Sequence, residues 1–140
     1  MKLKSNDVIL TAYPRSGLTY LRFLFANIFY RDHTHNFDTI HKLIPALNSV
    51  ELDAWERQIP QLFKSHDMDY YNNTIHMVRD VRDCLISQYF YNKKFHGDND
   101  NRSIERFLVD EDFGANWRVF VNYWHKKADV TIRYEDLLDN

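Results

Sequence analysis

Cysteine is nearly missing from this chain of 140 residues: Cys84 stands alone, which excludes an intrachain disulfide and a four-cysteine metal site. A reducing compartment, the cytoplasm, is the expectation that follows. Glycine and proline number three each, too few for a linker or a low-complexity protein. Neither sign of charge dominates; the net charge of -2 argues against a protein that coats nucleic acid, so any anion site must be local. Long apolar runs are also wanting. The most aromatic-rich stretch, 18–30, is broken by Arg22 and Asn27 and falls short of the roughly 20 residues that span a bilayer. Residues 1–7 are polar, with no apolar core and cleavage site behind them, so no secretory leader is expected.

What the chain does have is 44% hydrophobic residues, 16% of all residues being aromatic. That suffices for one core, and a single domain over 1–140 is expected. Val8 to Tyr13 is a β-prone run stopped by Pro14 and Gly17, and from Leu18 the apolar positions Leu21, Leu24, Phe25 and Ile28 recur at helical spacing. This predicts a strand-loop-helix unit. A second such unit is predicted from the strand 74–79 and the helix 81–95, where Leu85, Ile86, Tyr89 and Phe90 mark a face. Between them the pattern predicts helices over 39–47 and 50–58 and a strand over 61–66; beyond them, a surface loop over 96–102. Ser103 is a candidate cap for a helix reaching Leu108, and Trp117, Phe120, Val121 and Trp124 predict a helix over 116–126 before a last strand, 129–134. Alternating strands and helices make the fold class α/β: three layers, with a mainly parallel central sheet between helices.

Three segments carry chemistry. The loop Tyr13-Pro14-Arg15-Ser16-Gly17-Leu18-Thr19-Tyr20 turns from a strand into a helix start, where backbone N–H groups and the positive end of the helix dipole favour a phosphate or sulfate. Arg15, Ser16 and Thr19 add a cation and two hydroxyls. The spacing G-x-x-x-x-G-K-[ST] of an ATP-binding Walker loop is absent, and an ordinary turn bearing a surface arginine remains the bland alternative. The second segment, Arg79 to Ser87, pairs a strand-end arginine with a serine two helical turns on; taken alone, it is more readily read as a solvated helix start with acids near its N-terminus. In the third, Lys64-Ser65-His66, a histidine sits at a strand end, on the sheet edge where α/β proteins bind ligands, and is mostly neutral at pH 7. His33, His35, His41, His76, His96 and His125 are read as surface residues.

Taken in order, these segments resemble the sulfotransferases that use 3′-phosphoadenosine 5′-phosphosulfate (PAPS). Tyr13 to Tyr20 is similar to the family's Y-P-K-S-G-T-T-W loop, Lys64-Ser65-His66 to its K-T-H segment, and Arg79 with Ser87 to its R-x7-S spacing. Gly114 to Trp124 resembles a family helix ending in V-x-x-W, and Arg133-Tyr134-Glu135-Asp136-Leu137 resembles its Y-E-D-L strand end.

The resemblance implies a P-loop-NTPase-like sulfotransferase fold and transfer of a sulfuryl group from PAPS to an acceptor hydroxyl or amine, leaving 3′-phosphoadenosine 5′-phosphate (PAP). It implies that Arg15, Ser16, Gly17 and Thr19 hold the donor's 5′-phosphosulfate, with Leu18 in the same donor-binding loop, that Arg79 and Ser87 clamp its 3′-phosphate, and that Tyr134 lies near the adenine, with Tyr20 where the family often stacks a tryptophan on that ring. His66 would be the general base, with Lys64 and Arg15 neutralising charge as the bond breaks; no metal enters the scheme. Arg15 stands where the family has lysine, and Leu18 where it has threonine. The sequence ends at Asn140, before the family's R-K-G-x-x-G-x-W segment, and a short form is the expectation. A non-catalytic PAP binder and a nucleotide or small-molecule kinase are the alternatives. Partners expected are a small-molecule or glycan acceptor and no nucleic acid, with a homodimer left open. Phe37, Trp55, Tyr70, Tyr71 and Phe95 are candidate acceptor-pocket residues or, equally, core.

Overall fold

The computed structural model describes residues 3–32, 35–49, 61–69, 71–96, 103–109 and 111–138. Four strands, β1 (Val8–Ala12), β2 (Leu62–Ser65), β3 (Thr74–Val78) and β4 (Val130–Arg133), form one parallel sheet in the order β2-β1-β3-β4. The register sets Val8 against Leu62, Ile9 against Thr74 and Met77 against Ile132. Parallel strands buried on both faces are apolar on both faces, and β1 reads accordingly: Ile9, Leu10 and Ala12 are fully buried.

Helices cover both faces, as the α/β pattern predicts. On one, Leu10, Ala12, Leu62 and Met77 pack with Leu18, Leu21 and Ala26 of α1 (Leu18–Phe29) and Ile40 of α2 (Phe37–Leu43). On the other, His76 lies under Phe120 and Trp124 of α5 (Glu111–Lys127), at ring distances of 5.9 and 6.4 Å. A third cluster joins Leu85 and Tyr89 of α3 (Val81–His96) to Phe107 of α4 (Ile104–Leu108), which Ser103 caps as predicted.

The expected helix over 39–47 is corrected. α2 begins at Phe37, because Asn36 and Thr39 close a capping box, and ends at Leu43, because Pro45 disfavours helical backbone in the residue before it. Residues 45–47 instead run beside β2: the Lys64 N–H donates to the Pro45 carbonyl at 2.8 Å and the Leu47 N–H to the Lys64 carbonyl at 2.9 Å. α5 starts earlier than the apolar spacing suggests, with Gly114 inside it, a residue that costs a helix about 1 kcal/mol and reads as a break. The expected helix over 50–58 and nearly all of the expected loop over 96–102 lie outside the described residues; His96 itself closes α3.

His76 is also corrected: it is fully buried rather than on the surface. Burial pulls its pKa from 6.5 down to about 4, and the nearby Thr11 backbone offsets this only in part. A histidine kept neutral by folding is protonated first in the unfolded chain, so its contribution is intact above pH 6.5 and is lost as pH falls toward 4. Stability measured by urea unfolding should drop by about 2 kcal/mol between about pH 7.5 and about pH 5. In His76→Leu that slope should flatten; an equally steep loss in the variant would assign it to other groups.

Candidate functional site

All four strands point their carboxyl ends the same way, and the connections from β1 to β2 and from β3 to β4 cross opposite faces of the sheet: α1 lies on one side, α5 on the other. A crevice must open between them, and ligands in open α/β sheets bind there. The cleft found at this edge has a volume of about 470 Å³ and is lined by Pro14, Arg15, Gly17, Leu18, Thr19, Lys64, His66, Arg79, Ser87, Gln88 and Tyr91. Residues from four separate stretches of sequence thus meet in one place.

The loop after β1 carries two left-handed residues, Arg15 at φ 68° and Gly17 at φ 92°. Backbone of this kind turns successive N–H groups inward as an anion-binding concavity. Gly17 is required twice over. Its φ suits glycine, and a Cβ there would stand 2.5 Å from Cδ2 of Tyr134. α1 begins directly after it with no acidic residue in its first turn, so no carboxylate competes for the helix N-terminus.

Arg15 and Ser87, placed by sequence at opposite ends of the donor, are in direct contact: Arg15 Nε donates to Ser87 Oγ at 3.1 Å. The Arg15 guanidinium also stacks over the ring of Tyr91, 4.5 Å from its centroid. Arg79 donates from Nη1 to the Arg15 carbonyl at 3.3 Å, lies 4.4 Å over the Tyr134 ring, and keeps a loose 3.7 Å pairing with Asp83. Its Nε is buried with no hydrogen-bond partner among the described residues. A buried donor left open in this way fits an anionic ligand. Arg82, by contrast, is the solvated charge of the bland reading: it grips Asp80 at 2.6 Å out in solvent and, through that hydrogen bond, holds the Asp80 carboxyl down to about 2.

His66 sits at the mouth of the cleft, two residues beyond Lys64. Its Nδ1 lies 2.7 Å from the Ala12 carbonyl. A carbonyl only accepts, so Nδ1 carries the hydrogen and Nε2 keeps its lone pair. Desolvation, with the charges of Lys64 and Arg22, lowers the His66 pKa against the opposing pull of Ala12 and Asp67. Lys64 is lowered too, by burial first and then by Arg22.

Other expected site residues stand elsewhere. The Ser16 hydroxyl faces inward, 3.4 Å from the Cys84 sulfur, and Ser16 is 1% exposed. The Leu18 side chain is in the core, so what it can offer the cleft is backbone. Tyr20 meets Tyr134 edge-on at 5.9 Å, outside the cleft lining. Of the aromatic acceptor candidates, Tyr71 is half-buried and stacks on Trp124, Phe37 is 70% exposed against Phe23, and Phe95 packs on Tyr91; Trp55 and Tyr70 lie outside the described residues. Tyr91 and Gln88 are the residues that motif reading missed. The signal for Tyr91 was present, since it follows Ser87 by four residues on a helix and must share its face.

A parallel sheet with an anion loop feeding α1 and cationic strand ends beside it defines a P-loop-like α/β protein. The chain belongs to the sulfotransferase domain family, whose sequence model matches residues 5–140. Among curated relatives, it is 28% identical over 159 residues to the amine sulfotransferase of Oryctolagus cuniculus, covering 97% of this chain and 52% of that protein. It is 23% identical over 170 residues to cytosolic sulfotransferase 7 of Arabidopsis thaliana, covering 96% and 52%. The chain thus spans about half the length of the curated relatives it matches. In fold it is similar to a retinol dehydratase solved with androsterone and the inactive cofactor PAP, with a TM-score of 0.75 at 18% identity, over 100% of this chain and 57% of that one. A putative steroid sulphotransferase of Arabidopsis thaliana gives a TM-score of 0.61 at 19% identity, over 99% and 58%. Among the described residues no helix is long and apolar enough to cross a membrane.

Proposed function

We propose that this chain, as a single sulfotransferase domain over 1–140, transfers a sulfuryl group from PAPS to the hydroxyl or amine of a small-molecule acceptor in the cytoplasm. The observation that carries this reading is the meeting of Arg15, Gly17, Lys64, His66, Arg79 and Ser87 in one cleft. Membership of the sulfotransferase family and the PAP-bound relative of the same fold support the donor. When bound, the donor supplies a sulfuryl group on a phosphosulfate linkage whose cleavage leaves PAP.

The roles follow from position. Backbone N–H groups of Gly17, Leu18 and Thr19 hold the 5′ end at the start of α1; Arg79, with its open Nε, and Ser87 hold the 3′-phosphate; Tyr134, already under Arg79, borders the adenine. His66 Nε2 takes the acceptor's proton, and Lys64 and Arg15 stabilise charge on the oxygens of the breaking bond, where preorganised cations lower a barrier most. Ser16 acts through its backbone and by packing, its hydroxyl being turned to Cys84. An amine or a sterol-like alcohol is the first acceptor to try, given the names of the relatives.

Calorimetry with PAP and with adenosine 5′-phosphate tests the donor site. PAP should bind at least tenfold tighter, about 1.4 kcal/mol, because a second charged clamp is engaged. Equal affinities would remove Arg79 and Ser87 from the proposed role. Transfer of labelled sulfate to an acceptor panel tests the chemistry, and tight PAP binding with no turnover of any acceptor would mark a binder instead of an enzyme.

A further inference from the structure

Arg22 is buried as deeply as the aliphatic core, at 1% exposure, although it carries a charge. Among the described residues no carboxylate pairs with it, and burial draws its pKa down to about 10. An interior cation without a counter-ion is costly to keep, so its contacts are informative. Nη2 donates to the carbonyls of Ile40, at 2.9 Å, and Ile44, at 2.6 Å. These carbonyls close the last turn of α2, the negative end of its dipole. The chain then passes through Pro45, whose own carbonyl receives the Lys64 N–H at 2.8 Å. From α1, the helix that begins at the donor loop, a connected path therefore runs through Arg22, Ile44 and Pro45 to the strand bearing Lys64 and His66.

We propose that Arg22 is a positioning residue for the transfer site, fastening the catalytic end of β2 to the helix that carries the donor loop and setting a fixed positive charge behind both. This rests on the sulfuryl-transfer reading above. The groups facing His66 are Lys64 on β2, Asp67 in its own loop and Arg22 on α1, with the Ala12 carbonyl on β1. Of the two cations, Arg22 alone is buried throughout, so its charge is the less screened by solvent.

The test follows the His66 imidazole by NMR through a pH titration in the wild type, Arg22→Lys and Arg22→Met, beside transfer kinetics. Arg22→Met should raise the His66 midpoint, since a like charge has been removed. It should also lower kcat roughly tenfold, with a smaller change in donor KM, because position rather than binding is lost. Arg22→Lys should hold the midpoint and recover part of the rate. A folded Arg22→Met protein with unchanged midpoint and unchanged kcat would overturn the proposal. Should that variant fail to fold, Arg22→Gln, a neutral donor toward the same carbonyls, takes its place with the same two outcomes. The titration needs no turnover: a wild type that transfers nothing would sink the functional reading while the midpoint still decides the part played by Arg22.

Discussion

Replacing His66 with alanine should lower kcat by roughly two to four orders of magnitude while leaving the affinity for PAP within a few-fold of wild type. Such a split is expected because His66 reaches the cleft from the end of β2, whereas the donor loop and Arg79 follow β1 and β3. The imidazole is ready to accept a proton: Ala12 holds the hydrogen on Nδ1, and desolvation with two neighbouring cations keeps the ring neutral at pH 7. The sign of the pH dependence follows. A base whose pKa lies below the ordinary 6.5 is active on the alkaline side of that pKa, so the wild-type rate should be flat near neutrality and fall only in more acid solution. The residual rate of His66→Ala should lack that acid limb. Single-turnover transfer across pH measures both effects, and an alanine variant with wild-type kcat would remove His66 from the mechanism.

Arg15→Met should cost roughly a hundredfold to a thousandfold in kcat, the range seen when one preorganised charge donor to a transition state is deleted. Arg15 is held from α3 on two sides, by Ser87 Oγ and by the face of Tyr91, so its guanidinium does not have to be ordered when the donor arrives. Arg15→Lys returns the charge without the planar fork and should recover only part of the rate. Its failure to recover any would mean that the fork, not the charge, is what the site needs. Equal rates for Met and wild type would exclude Arg15 from the chemistry.

The strand-loop-helix units were legible because Pro14 and Gly17 punctuate the chain and because Leu21, Ile9 and their neighbours keep the periods of helix and strand. Likewise the order of Arg15, Lys64, His66 and Arg79 pointed to one edge of one sheet, where the cleft lies. What stayed hidden depends on neighbours distant in sequence. Arg22 looked like a polar break in an apolar run, although it sits one helical turn from Leu18 and Ala26 and shares their buried face. Ser16 looked like a phosphate ligand because its residue type suits one; only the packing of α3 reveals that Cys84 claims the hydroxyl. His76 gave no local sign of burial, since the rings that enclose it come from α5. The end of α2 was open to inference from Pro45, but apolar residues on both sides of that proline masked the stop.

The contact between Gly17 and Tyr134 bears on the order in which the protein is made. Gly17 is synthesised before the ring that closes over it, which directly follows β4, the last of the strands described above. Contacts so far apart in sequence close slowly, since the intervening loop must first be gathered. A nascent chain displaying the whole donor loop would still lack the wall behind it. The proposed donor loop therefore gains its wall only when the segment after β4 docks, not when the loop itself is made.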